Sequence, residues 1–225
     1  MGTPVANKPF VGAHTSLATF DRCPKQFHHR YILRDQPYVE SVEMKWGNVV
    51  HSAMEHRVGA LKTPLAPELA RFEKYALALE PFGEVKTELK LGLTEAGEPV
   101  DFFASNVAFR GVVDTLAVSG DTAVIADWKT GRKWEDPREL EEQGMLVRAT
   151  FAHVTTVKAA YVWMKADEIG KTYDVSDAAP TFARVVNTLK KINSMTRDSA
   201  AFNPLPNKLC PWCPVKACAY NPKKD

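Results

Sequence analysis

Two runs of apolar and β-branched residues, NVAFRGVVDTLAV (106–118) and DTAVIADWKT (121–130), meet at the polar break Ser119-Gly120-Asp121 near the middle of the chain. Such runs favour strands, and so short a break containing a glycine is a tight hairpin turn, so the two strands must pair antiparallel. Each strand carries a carboxylate. Asp114 lies six residues before Gly120 and Asp127 seven after it, so the hairpin brings both acids to nearly one level across the pair. Lys129 shares a face with Asp127 because strand side chains alternate with period two.

The segments around this hairpin set the architecture. HTSLATFDRCPKQFHHRYILRD reads as a helix, with Thr15 or Ser16 able to cap it, Leu17, Phe20, Phe27, Tyr31 and Ile32 on an apolar face, and Pro24 at a kink or junction. Further helices are expected over Gly47 to Leu61 and Glu68 to Leu79. EVKTELKL precedes the hairpin as a strand. After the hairpin, EDPRELEEQGMLVRATFAH reads as a helix, with Pro137 in its first turn and acidic residues at its positive end. TTVKAAYVWMK returns to strand, KTYDVS supplies an edge strand, and a helix over Ala178 to Ser194 leads into a Pro-rich tail. The expectation is a single α/β domain with a helical part (1–82), a catalytic sheet core (83–165), and a C-terminal helix with a cysteine-rich, metal-binding tail (166–225).

Composition narrows the function classes. No apolar run approaches the roughly 20 residues that span a bilayer, and MGTPVANKPFVGAHTS lacks a basic start and apolar stretch. The reading is a cytoplasmic protein without a membrane partner. A formal charge of +2 excludes nothing, since phosphate binding needs only a local patch of Lys and Arg. Of four cysteines, three crowd into CPWCPVKAC and the fourth is Cys23. In a reducing compartment clustered thiols more often bind metal than pair as disulfides. Cys210 and Cys213 have the C-x-x-C spacing and Cys218 follows within reach, which leaves tetrahedral zinc and a four-iron cluster both open.

Asp114, Asp127 and Lys129 converge on a half-buried surface, where two acids are costly unless neutralised. A hard cation such as Mg²⁺ or Mn²⁺ would do so. A phosphodiester is the matching substrate, with Lys129 orienting water or stabilising developing charge. The alternative is an ordinary surface ion pair, but the apolar VIA before Asp127 and the Thr130-Gly131 after Lys129 place the charges at the end of a buried strand.

RGVVD followed by VIADWKTG resembles the core motif of the PD-(D/E)XK nuclease superfamily, in its RecB-like branch of CRISPR-adaptation exonucleases, helicase-linked nuclease domains and phage exonucleases. Other motifs follow in the branch's order: HTSLATFDRCPKQFHHRY resembles its N-terminal helix, GNVVH its G-x-x-x-H helix, and CPWCPVKAC its cysteine cluster. The resemblance runs from His14 to Cys218. It implies a restriction-endonuclease-like core, a mixed central sheet flanked by helices. It also implies that Asp114 and Asp127 ligate the metal, with His51 and the Trp128 carbonyl, and Glu88 as a further acidic position. Lys129 would act in catalysis, and Gln143 would help to place the DNA or the lysine. Here the chain departs from the pattern, because the tyrosine usual a turn later is missing from QGMLVRATF. For the cysteines the resemblance implies an iron–sulfur (4Fe-4S) cluster joining Cys23 to Cys210, Cys213 and Cys218.

Candidate DNA contacts are Arg30, Tyr31, Arg110 and Arg132, with Lys25, Arg34 and Lys133 as further basic residues and Phe27, Trp46 and Trp134 as possible stacking surfaces. No P-loop is present, so unwinding would come from a helicase or recombination partner. The expected activity is a Mg²⁺- or Mn²⁺-dependent DNA exonuclease of recombination, repair or phage DNA metabolism, in a bacterial or phage-infected cell. An endonuclease and a catalytically silent DNA-binding module are the rivals.

Overall fold

A computed structural model describes residues 9–36, 40–195 and 201–223. The described residues fall into two compact units, one within 40–183 and the other within 1–39 and 184–225.

The larger unit is built on the hairpin. Strand β3 (Phe109–Ser119) pairs antiparallel with β4 (Thr122–Lys129) from Ser119↔Thr122 to Thr115↔Ala126, and Gly120 at the turn takes a φ of 60°. On the other side β3 pairs antiparallel with β1 (Glu84–Leu93), whose far edge carries the two-residue β2 (Pro99–Val100). Helix α5 (Arg138–Thr150) carries the chain from β4 to β5 (Thr156–Trp163), which runs parallel to β4. Two short strands, β6 (Glu168–Ile169) and β7 (Tyr173–Asp174), pair with β5, and the sheet order is β2-β1-β3-β4-β5-β6. This is the expected mixed sheet flanked by helices. β4 lies between two long strands, which explains why Ile125, Ala126, Asp127 and Trp128 are all buried.

Alternation along β4 sorts its residues between two faces. Ala126 and Trp128 face a core formed by Val50, Met54 and Val58 of α3 (Val42–Val58), by Leu69 and Phe72 of a 3-10 turn, and by Tyr75, Ala76 and Leu79 of α4 (Glu73–Leu79). Full burial of each large side chain there stabilises by about 1.5–3 kcal/mol. Trp128 is 1% exposed and donates Nε1–H to Thr115 Oγ1 at 3.1 Å, so its polar atom is satisfied in the core. Arg57, also buried, donates to Glu73 and Glu80 and ties α3 to α4. Asp127 faces α5 instead. Gly144 lets that helix close on the segment after β7, since a Cβ there would lie 2.5 Å from Val175 Cγ2.

Several boundaries differ from expectation. α3 begins at Val42, earlier than Gly47, because Ser41 caps it by accepting the Met44 N–H at 3.2 Å. The helix expected over Glu68–Leu79 divides into the 3-10 turn Pro67–Phe72 and α4. In the smaller unit the first helix divides at Cys23, whose extended backbone separates α1 (His14–Arg22) from α2 (Pro24–Phe27), with Pro24 at the restart. A π-helical turn, His28–Leu33, follows and ends at Arg34 in the left-handed conformation, φ 55°. Neither Thr15 nor Ser16 is the N-cap of α1; Ala13 is, and Ser16 Oγ accepts its N–H at 2.9 Å from within the first turn. The last helix, α6, spans Ala179–Ser194. No described helix is long and apolar enough to cross a membrane.

Candidate active site

The β3–β4 ladder stops at Thr115↔Ala126. One step further the register would set Asp114 opposite Asp127, but there the Asp114 carboxylate replaces a backbone acceptor, and its Oδ2 takes the Trp128 N–H at 2.9 Å. The strands part at the level of the two acids. On the other flank of β3 the ladder is interrupted at the same level, between Thr87↔Thr115 and Leu89↔Val113. The residue between, Glu88, has a φ of 47°. A left-handed non-glycine inside a strand costs about 1–3 kcal/mol and persists only where the surroundings impose it. Its carboxylate joins His51 and Asp114 in a group whose ligand atoms all lie within 4.8 Å of one another.

Helix α3 delivers His51 to this group. Gly47, one turn earlier, allows the approach, because a Cβ there would stand 3.0 Å from Thr130 Oγ1, just beyond β4. His51 Nδ1 lies 3.4 Å from Asp114 Oδ2, and the ring also meets the Trp128 backbone.

Asp127 sits behind, 2% exposed. Its Oδ1 accepts Gln143 Nε2–H at 2.8 Å, and its Oδ2 pairs with Lys129 Nζ at 2.7 Å. Lys129 Nζ also donates to Glu139 Oε2 at 2.8 Å and stands 5.3 Å from the centre of the Tyr161 ring. Tyr161 is the β5 partner of Asp127 and donates its hydroxyl to the Asp136 carbonyl at 2.7 Å. Glu139 and Gln143 share one face of α5 at i, i+4. Gln143 Oε1 is buried with no hydrogen-bond partner among the described residues.

Burial first, and then the charge of Asp127, hold the Asp114 carboxyl well above the ordinary carboxylate range. Burial also raises Asp127, and raises Glu88 with help from the nearby Glu55 charge. Burial lowers the His51 imidazole and so favours its neutral, ligating form. For Lys129 burial opposes the charge, but Asp127 and Glu139 outweigh it and hold the ammonium pKa above its usual value. Three carboxyls that resist ionising together, beside a neutral imidazole, suit a hard divalent cation that replaces their protons.

The four cysteines line one pocket of the smaller unit, beside Gln26 and Asn207. Cys23 Sγ accepts the Leu205 N–H at 3.5 Å and Cys210 Sγ the Asn207 N–H at 3.3 Å. Burial raises the Cys213 thiol, the Val215 backbone N–H lowers it, and the other three cysteines raise it again.

The predicted DNA contacts are spread more widely. Arg110 is engaged locally, with its guanidinium 4.6 Å from the Phe102 ring and donating to the Phe102 carbonyl at 3.1 Å. Arg132 is exposed in the loop after β4. Trp134, 76% exposed, lies between Lys133 and Glu135, which are pinned to Glu168 and to Trp163 Nε1 respectively. In the smaller unit Arg30 stacks on Tyr31, itself packed against Phe27. Glu139 and Tyr161 escaped the sequence reading. Glu139 stands one helical turn before Gln143, a spacing that could have flagged it, whereas Tyr161 looked like any strand aromatic.

Residues 13–71 and 58–218 match the sequence profile of the PD-(D/E)XK nuclease superfamily. The chain belongs to this superfamily. Nucleases of this superfamily generally use divalent metals, and His51, Glu88 and Asp114 form a group that could hold one. Among solved structures the chain is similar to a protein from Eubacterium rectale named "Putative exonuclease", at 14% identity and a TM-score of 0.54, over 94% of this chain and 93% of that one. That likeness is one of fold. A second solved structure, of SSO0001, matches at 15% identity and a TM-score of 0.41, over 98% and 90%. No curated protein matches the sequence significantly.

Proposed function

We propose that this PD-(D/E)XK nuclease is a Mg²⁺- or Mn²⁺-dependent DNA exonuclease of recombination, repair or phage DNA metabolism. The observation that carries the reading is the meeting of His51, Glu88 and Asp114 within 4.8 Å, beside the Asp127–Lys129 pair. One imidazole and hard carboxylate oxygens, with the Trp128 backbone at hand, fit such an ion. A bound ion there would polarise a phosphoryl oxygen and lower the pKa of a coordinated water. The chain's own residues do the rest. Gln143 holds Asp127 in orientation, and Lys129 offers a positive charge to the negative charge that develops on the phosphate. Arg132 and Trp134, both exposed in the loop after β4, would meet phosphate and base, and a helicase or recombination protein would be the partner for a nuclease chain without a P-loop.

For the cysteines the reading is an iron–sulfur cluster on Cys23, Cys210, Cys213 and Cys218. Among the described residues no three of these sulfurs lie within 4.8 Å of one another. Thiolates about 2.3 Å from one tetrahedral zinc would be only about 3.8 Å apart.

The deciding experiment follows end-labelled linear DNA and a covalently closed circle with Mn²⁺, with EDTA, and with Asp127→Ala. Loss of the linear substrate alone, dependent on metal and on Asp127, is expected. Cutting of the circle would make the enzyme an endonuclease, and no metal-dependent cleavage of either would leave a DNA-binding module.

A further inference from the structure

We propose that Glu139 is a positioning residue that keeps the Lys129 ammonium in the site when Asp127 turns its Oδ2 to another partner. The ammonium lies between two carboxylates at nearly equal distance, 2.7 Å from Asp127 and 2.8 Å from Glu139. Asp127 Oδ1 accepts from the buried Gln143 amide, while Oδ2, which has no hydrogen-bond partner among the described residues, is held near Lys129 by the ion pair alone. Asp127 therefore stands outside the close group of His51, Glu88 and Asp114. Drawing it toward that group, as the proposed activity requires, takes Oδ2 from the lysine, because the Gln143 amide, itself 5% exposed, fixes the other oxygen from inside.

Lys129 would then lose its shorter ion pair. A lysine is a point charge on a flexible four-carbon stem, and this side chain is 29% exposed, so without a second anchor the ammonium would be drawn toward water. Glu139 supplies that anchor from a rigid base. It lies in the first turn of α5, next to fully buried Leu140 and one turn before Gln143. Tyr161, tied to the Asp136 carbonyl just ahead of that helix, closes the space beneath the lysine. One helix end thus controls both partners: Gln143 orients the aspartate and Glu139 the lysine.

The proposal rests on the metal-dependent nuclease reading, and its test separates the two. Glu139→Gln, Lys129→Ala and the double variant are compared with wild type, by melting in EDTA and by steady-state cleavage in Mn²⁺. Glu139→Gln is expected to lower kcat about 10- to 100-fold, the range for groups that orient a functional residue. KM for DNA and the half-saturating Mn²⁺ concentration should stay within about twofold. In the Lys129→Ala background Glu139→Gln should change neither kcat nor the melting midpoint further. A tenfold rise in half-saturating Mn²⁺ would overturn the proposal by making Glu139 a metal ligand. So would an equal loss of kcat in both backgrounds, or additive melting shifts. If wild type shows no metal-dependent cleavage, the nuclease reading fails, and melting in EDTA still decides whether Glu139 and Lys129 are coupled.

Discussion

Burial and the neighbouring Asp127 make the Asp114 carboxyl hold its proton beyond the pH at which the unfolded chain has lost it. The folded state then binds more protons than the unfolded state, so stability falls as pH rises. This contribution is fully present below about pH 4, the unfolded carboxyl value, and is lost as pH rises through the folded one. Asp114→Asn, which cannot ionise, is therefore expected to melt higher than wild type at neutral pH in EDTA and to flatten the pH dependence of melting, while metal-dependent cleavage falls to background. A variant that melts lower in EDTA would show that the carboxylate stabilises the metal-free fold. Gln143→Ala acts differently. It leaves Asp127 Oδ1 without its buried donor, at about 1–3 kcal/mol in stability by denaturant unfolding. Cleavage should also fall about 10- to 100-fold, as for other groups that orient a ligand. At this scale much was legible, since Asp114, Asp127 and Lys129 follow from strand period and turn length alone. The conformation of Glu88 was not, because a left-handed φ inside a strand is imposed by packing and by the interrupted ladder.

The long elements appear in the expected order because their periodicities are strong, and the errors fall at their ends. α3 starts early because Ser41 outcompetes Gly47 as a start signal, and β2 and β6 are pairs of residues too short to carry a period, whereas β7 falls inside the expected KTYDVS strand. The approach of α3 to β4 has its own test at Gly47. Alanine in a helix interior gains roughly 0.5–1 kcal/mol over glycine, but here its Cβ would press on Thr130 Oγ1 at 3.0 Å. Gly47→Ala alone is expected to show little of that gain and to lose activity through displacement of His51. With Thr130→Ala the gain should appear in denaturant unfolding and the activity should return. Equal stability gains in both backgrounds would show that the contact does not restrain the helix.

At the scale of the whole chain, the candidate active site lies wholly in the unit spanning residues 40–183 and the four cysteines wholly in the other. Cys23 and Cys210 are far apart in sequence, and a metal that binds both contributes its binding free energy to folding. Cys23→Ser is accordingly expected to lower the iron content and the melting midpoint of the purified protein. Stoichiometric zinc without iron in wild type would replace the cluster by a zinc site. The motif order from His14 to Cys218 was enough to place the chain in its superfamily, because each motif is a local pattern of residue types. The sequence by itself determined the hairpin, the level of Asp114 and Asp127, the lysine beside them and the C-x-x-C spacing, all consequences of period and turn length within one or two elements. Only the tertiary structure decided that Glu139 and Tyr161 surround the lysine, that Asp114 takes the Trp128 N–H, and that Glu88 leaves its ladder to join His51. The His51–Glu88 and Lys129–Tyr161 contacts join elements distant along the chain, those of Asp114 and Glu139 join neighbouring ones, and in each the geometry is set by how side chains pack between elements, which no local periodicity encodes.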